Sequence, residues 1–266
     1  MSASSSLLLD RIVVITGASQ GIGKACALAC ARNGADIVLH HLGASTRAEA
    51  EAVRREIEGM GRRCVLVEGD ISEVATSDAI VHAAVSSFGR IDSLISNAGI
   101  FTPMPFLSTP PDIVSRMISV NLQGPFQVVQ AVARQMIAQE PNAVTGQRGS
   151  VVMISSIAAI RGGGSQAHYN ATKAGVRSLM ESCAIALGGQ GVRCNTIMPG
   201  SILTPINAHE LSTPKQQQAR ARRSAIQRIG LPDDVADPVV FLCSDMARFV
   251  DGASLLVDGG EAIKMA

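Results

Sequence analysis

Tyr169 is the only tyrosine in the 266-residue chain, and Lys173 follows it by four positions. On a helix, residues four apart project from the same face, so a phenol and an ammonium at this spacing lie side by side. Such a pair suits removal of a proton from an alcohol, provided the phenol ionises near neutral pH. An ordinary tyrosine has a pKa of about 10. Lowering it to about 7 requires ~4 kcal/mol, which a neighbouring cation in a partly desolvated cleft can supply. The spacing Tyr-x-x-x-Lys is common by chance, and an exposed helical pair is its ordinary meaning. Context argues otherwise here. The segment Tyr169-Asn170-Ala171-Thr172-Lys173-Ala174-Gly175 opens a helix after the glycine-rich stretch 161–165, and Ser156 ends an apolar strand thirteen residues before the tyrosine. A serine hydroxyl placed there can donate to a substrate oxygen and hold it against the phenol. The adjacent Ser155 reads as strand-end structure.

A second chemical signal stands near the amino terminus, in Thr16-Gly17-Ala18-Ser19-Gln20-Gly21-Ile22-Gly23-Lys24. Its glycines fall where an apolar strand turns into a helix. Without Cβ atoms the backbone turns sharply, and the helix N-terminus can approach a diphosphate. The spacing Gly-x-x-x-Gly-x-Gly differs from the longer dinucleotide fingerprint Gly-x-Gly-x-x-Gly.

These residues need a scaffold, and the rest of the chain supplies its pattern. Strand-like runs recur at 12–16, 36–40, 63–68, 91–96, 150–155, 192–197 and 254–257. Helical periodicity fills 22–33, 47–58, 74–88, 111–139 and 166–188. Short apolar strands alternating with helices predict βαβ units: an α/β, doubly wound Rossmann-type fold with a seven-stranded parallel sheet between helix layers. Apolar content of 47% with 17% charged residues fits strands covered on both faces. No composition shift divides the chain, so 1–266 reads as a single domain, with a frayed lead-in at 1–9 and a substrate lid at about 201–225. Stretches 161–165 and 201–218 follow strands and border the crevice at the strands' carboxyl ends.

Composition also excludes. No apolar run approaches the ~20 residues that span a bilayer, and 1–9 lacks the features of a signal peptide. A net charge of +1 offers no footprint for nucleic acid or a membrane surface. Arg220, Arg222 and Arg223 read as a solvated helix face. The six cysteines lack metal-ligand spacing and read as buried, reduced thiols. That points to a reducing, cytoplasmic setting, with no metal.

At its glycine spacing the turn resembles that of the short-chain dehydrogenase/reductase family, and further landmarks of that family follow in order from Ile12 to Gly260. They are Asp70-Ile71 after the third strand, Asn97-Ala98-Gly99 after the fourth, Val120-Asn121-Leu122 in the long helix, and Pro199-Gly200 with Thr204 after the sixth. The resemblance implies an NAD or NADP cofactor held by Gly17, Ser19, Gln20, Ile22, Gly23, His41, Asp70, Ile71, Asn97, Ala98, Gly99, Tyr169, Lys173, Pro199, Gly200, Ile202 and Thr204. It implies catalysis by Ser156, Tyr169 and Lys173, with Lys173 also bonding the nicotinamide ribose and Asn121 anchoring a water-linked proton relay. A homotetramer paired through the long fourth helix and the Tyr169 helix is a further implication.

The second strand ends at His40-His41 with Leu42 beyond, so neither the Asp that selects NAD nor a basic residue that selects NADP is present. His41 can bond either a ribose hydroxyl or a 2′-phosphate, and Arg47 can reach the latter; the choice stays open. Few aromatics (3%) and the polar Asn207 and His209 in the lid favour a hydroxylated substrate. Gln166, at the start of the Tyr169 helix, is a candidate for gripping a sugar hydroxyl, as is Asn207. Within the family, Thr204-Pro205-Ile206-Asn207, Pro214-Lys215, His168 and the stretch 253–260 are similar to aldose 1-dehydrogenases of glucose and of L-rhamnose, with a lean to L-rhamnose. The implied reaction is oxidation of the C1 hydroxyl to a lactone. A reductase of 3-oxoacyl or other small carbonyl substrates is the alternative. A non-catalytic nucleotide-sensing protein on the same fold is a minor one.

Overall fold

The computed structural model describes residues 6–264, except the side chain of His209. Seven strands form one sheet: β1 (Ile12–Ile15), β2 (Asp36–His41), β3 (Cys64–Glu68), β4 (Ser93–Ser96), β5 (Gly149–Ile154), β6 (Val192–Pro199) and β7 (Ser254–Val257). Their spatial order is β3-β2-β1-β4-β5-β6-β7, and every pairing is parallel. Side chains alternate across each strand, so β1 feeds two cores. Val13 and Ile15 join one, while Ile12 and Val14 join the other.

The first core lies under α1 (Gly21–Arg32), α2 (Ala44–Gly59) and, further along the chain, α8 (Pro232–Cys243). Alanines and cysteines of α1 pack there against Val235, Ala236, Val239 and Val240 of α8. In α2, Ala50, Val53 and Ile57 recur at helical spacing and are its buried residues, while its charged positions face outward. The second core lies under α3 (Val74–Phe88), α5 (Gly124–Ala138) and α6 (Ala167–Leu187). The sheet is thus covered on both faces, as the high apolar content requires.

The structure departs from the sequence reading at four places. Leu8, expected in a frayed lead-in, is fully buried and its N–H donates to Asn33 O, because the turn before β1 needs an apolar anchor; positions 1–5 lie outside the described residues. The long helix at 111–139 is divided into α4 (Pro111–Ile118), a π turn (Ser119–Gln123) and α5. The lid contains a 3₁₀ segment (Pro205–Leu211) and α7 (Pro214–Ala221), capped by the Thr213 hydroxyl accepting from Gln216 N. Finally, α8 was not anticipated, although Pro232 at its first turn and Asp234, accepting from Leu231 N at 2.7 Å, mark its start.

No helix among the described residues is long and apolar enough to cross a membrane. All six cysteines are free thiols; five are buried and Cys183 is partly exposed.

Candidate active site

β1 and β4 are neighbours from which the connections run in opposite directions, and a cleft of about 660 Å³ opens at their carboxyl ends. Thr16, just past β1, sets its floor. Its hydroxyl oxygen accepts from Asn97 N at 2.9 Å and from Ala98 N at 3.0 Å, and Asn97 Nδ2 donates back to Thr16 O and Gly17 O, each at 3.0 Å. The glycine turn is drawn so close to this clamp that a Cβ on Gly17 would lie 2.9 Å from Ala98 Cα, and its φ of +63° disfavours any side chain. A Cβ on Gly23 would overlap Gly17 O.

This cradle fits a dinucleotide. The first turn of α1 holds no acidic residue, and its N-cap Gln20 makes no side-chain bond, so its backbone N–H groups and the positive end of the helix dipole are available to an anion. Gly17, Ser19, Gln20 and Ile22 line the cleft, as do Asp70, Ile71, Asn97, Ala98 and Gly99. Pro199, Gly200, Ile202 and Thr204 line its other side. Gly23 acts from beneath, by permitting the close turn.

At the outer end, the structure corrects one position. His41 is 2% exposed, with Nδ1 at 3.3 Å from Thr46 Oγ1, and the cleft is lined instead by His40, Leu42 and Thr46. Strand alternation explains the exchange. The His40 ring joins two loops: Nδ1 accepts from Gly17 N at 3.1 Å and Nε2 donates to Gly69 O at 2.9 Å. Burial holds its pKa below the ordinary value, with His41 adding to the shift. Arg47 lies off this lining, 3.9 Å from Glu68. Burial raises the Asp70 carboxyl, but bonds from Ser72 and Arg116 outweigh it and keep Asp70 below the usual range.

The three residues expected to carry the reaction come together. Ser156 follows β5, Tyr169 and Lys173 lie on α6, and all three line the cleft. The Tyr169 ring meets Phe101 edge-on at 4.9 Å between centroids, and the Ser156 hydroxyl oxygen accepts from Ala158 N at 3.1 Å. Ser155 is structural as expected, its hydroxyl donating to Lys173 O at 2.8 Å. The ionisation of the phenol is not as expected. Burial pushes Tyr169 up to about 12, with Ser156 pulling the other way. Lys173 is brought down to about 8 by burial; its Nζ donates to Ile154 O at 2.9 Å and stands 5.6 Å from the tyrosine ring centroid. The ammonium is thus engaged by Ile154 O, and burial favours the neutral phenol in the chain by itself.

The remaining expected residues differ in how they meet the cleft. Asn121 is fully buried in the π turn, its amide clamped on Ile100 by paired 2.8 Å bonds, and it is not among the lining residues. Gln166 lines the cleft at the N-cap of α6. Asn207 also lines it, but its amide is engaged by the lid itself, accepting from Thr204 N and donating to Ile202 O. His168 is buried and bonds Thr102 O at 2.9 Å. The side chain of His209 lies outside the described residues.

The sequence reading missed the charged far wall. Arg161, Glu210, Arg220, Arg223 and Glu261 all line the cleft. Arg220 pairs with Glu210 at 2.9 Å and Arg223 with Glu261 at 3.2 Å, so two of the three arginines assigned to a solvated face border the site. No local spacing announces this wall; it forms only when distant loops meet. Among the described residues no cluster is suited to hold a metal ion.

A dinucleotide cradle beside a Ser-Tyr-Lys centre defines a class, and comparison with known proteins agrees with it. A family profile described as enoyl-(acyl carrier protein) reductase matches residues 17–261. The chain belongs to the short-chain dehydrogenase/reductase family. Its relatives include the L-rhamnose 1-dehydrogenase (NAD(P)(+)) of Sphingomonas sp. strain SKA58, 45% identical over 97% of this chain and 99% of that protein. The enzyme of the same name from Azotobacter vinelandii is 46% identical over 96% of this chain and 97% of its own. Among solved structures, a gluconate 5-dehydrogenase from Burkholderia cenocepacia in complex with NADP and tartrate superposes with a TM-score of 0.89 at 30% identity, covering 98% of this chain and 99% of that one.

Proposed function

We propose that this protein oxidises the C1 hydroxyl of an aldose, L-rhamnose first, to the lactone with NAD or NADP. The observation that carries the reading is the Ser156–Tyr169–Lys173 cluster between a dinucleotide cradle and a wall of charged side chains. Full-length similarity to L-rhamnose 1-dehydrogenases supports the sugar. When bound, the oxidised nicotinamide supplies a hydride-accepting carbon and a positive charge beside the phenol. The chain does the rest. Gly17, Ser19, Gln20 and Ile22 hold the diphosphate; Asp70 and Ile71 flank the adenine; Pro199, Gly200, Ile202 and Thr204 cover the nicotinamide. Ser156 donates to the reacting oxygen, and Tyr169 takes its proton as the base. Lys173 keeps a cation against the tyrosine ring and bonds the nicotinamide ribose. Asn121 serves by bracing Ile100.

Cofactor choice follows from the outer end, where His40, Leu42 and Thr46 provide neither a carboxylate against a 2′-phosphate nor a guanidinium for it, so both dinucleotides are accepted. A homotetramer, implied by the family resemblance, would pair copies through the helices that carry the exposed Phe126 and Ile185. The predominance of buried free thiols supports a reducing, cytoplasmic setting.

The test is a panel of aldoses with each dinucleotide, following absorbance of the reduced cofactor. Turnover of L-rhamnose with both is the expected result. Silence with every aldose, alongside consumption of reduced cofactor by 3-oxoacyl substrates, would transfer the protein to the carbonyl reductases.

A further inference from the structure

At the substrate end of the cleft, segments from four parts of the chain meet, and one carboxylate joins them. Glu261, in the turn after β7, lines the cleft yet is only 2% exposed. Its Oε2 accepts from Ser201 N at 2.9 Å, in the loop after β6. Its Oε1 is 3.2 Å from Arg223 Nε, just past α7. Its main-chain carbonyl accepts from Arg161 Nη1, in the loop after β5. The approach is close enough that a Cβ on Gly200 would stand 3.1 Å from Oε2 and 2.7 Å from Asp258 Cβ. Two residues earlier, Gly259 O accepts from Ser224 Oγ at 3.0 Å and Ala225 N at 2.8 Å, fastening the same stretch of lid.

A buried carboxylate is costly unless hydrogen-bonded or charged partners meet it. A mere latch between loops would be served as well by apolar packing. What this carboxylate holds instead is the exposed guanidinium of Arg223, while the main-chain carbonyl of the same residue holds that of Arg161, and both groups line the cleft. Arg161 and Arg223 each retain N–H groups with no protein acceptor among the described residues. A guanidinium presents its donors in a rigid fork, suited to adjacent oxygens. We infer that Glu261 is a positioning residue that sets Arg161 and Arg223 as donors to the hydroxyl-bearing end of the substrate, away from the reacting carbon. This rests on the aldose reading, since vicinal hydroxyls are the groups such a wall would bind. Glu261 acts on substrate affinity, through the arginines, and leaves hydride transfer and cofactor binding alone.

Glu261→Gln tests this, because the amide still accepts from Ser201 N but no longer attracts Arg223. The expected result is a rise of about tenfold in KM for L-rhamnose, the loss that follows when a charge-assisted contact is removed. The expected kcat and cofactor KM stay within about twofold of the wild type. Arg223→Gln, at an exposed position that tolerates change, is expected to move KM the same way. Adding it to Glu261→Gln should bring little more, since both act through one contact. An unchanged KM, or a fall in kcat at constant KM, would overturn the proposal. Hydrogen–deuterium exchange supplies a readout that needs no substrate: amides at 222–226 should exchange faster in Glu261→Gln, while Ser201 N keeps its acceptor and its protection. Unaltered exchange refutes the tether whatever the enzyme oxidises. Faster exchange in an enzyme that turns over no aldose refutes the sugar reading and the role of the arginines with it.

Discussion

Replacing Tyr169 by Phe removes one oxygen from the site and keeps the edge contact with Phe101. If the phenol is the base, turnover falls by about 10²–10⁴-fold while the far-ultraviolet circular dichroism is unchanged; preserved turnover in steady-state assays would end the proposed mechanism. His40 offers a second, independent test. Burial depresses its pKa from 6.5, and its neutral ring is the form that accepts from Gly17 N. Its contribution to stability is therefore complete above pH 6.5 and is lost as pH falls from there through the lower folded-state value. His40 is flanked by His41, which adds to the depression, and by Asp70, which opposes it. Melting temperature should drop on acidification from about pH 7 to about pH 5, and His40→Asn should flatten that part of the profile. The Tyr-Lys pair was legible because helical periodicity alone puts the two on one face. The rise of the phenol pKa was not, because it follows from burial in the folded cleft, which residue spacing does not report. His40 was passed over for His41 because strand periodicity shows that neighbours face opposite ways without saying which one meets the cleft.

At the scale of elements, the cradle depends on one hydroxyl between β1 and β4. Thr16→Val keeps the shape but leaves Asn97 N and Ala98 N without their acceptor. An unsatisfied N–H costs about 1–3 kcal/mol when buried, and these two are partly buried, so destabilisation of roughly 2 kcal/mol or more is expected by urea unfolding, with weaker dinucleotide binding. A change below ~0.5 kcal/mol would show that the clamp is not rigid. The five inner strands were legible because strands covered on both faces read as continuous apolar runs, and the less covered edge strands β3 and β7 because short apolar runs stand between turn signals. The π turn at Ser119–Gln123 was not, since it shifts a helix's hydrogen bonding without altering its apolar spacing enough to show. α8 carries Pro238 in its interior, and proline in a helical pattern argues against the helix that the packing on α1 nevertheless enforces.

For the whole molecule, a ligand that binds the native cleft and not the unfolded chain adds stability set by its concentration. At about one hundred times its Kd the dinucleotide is expected to contribute ~2.7 kcal/mol, raising Tm by about 5–10 °C for a chain of this size. Scanning calorimetry with NAD and with NADP would rank the two by the size of the rise. The absence of any shift with either would remove the dinucleotide from the cleft. The parallel order of the sheet and the position of its crevice could be inferred from the alternation of strands and helices. The charged far wall could not, because Arg161, Arg223 and Glu261 come from three separate loops.

Because Tyr169 is the sole tyrosine and the chain contains no tryptophan, the protein carries a built-in optical probe at the hydroxyl proposed as the base. Phenolate and phenol differ in near-ultraviolet absorption, and no other side chain here contributes a comparable signal. A spectrophotometric titration of the unlabelled protein therefore reads the ionisation of that single hydroxyl, and repeating it with a bound dinucleotide measures how far the nucleotide's charge displaces it.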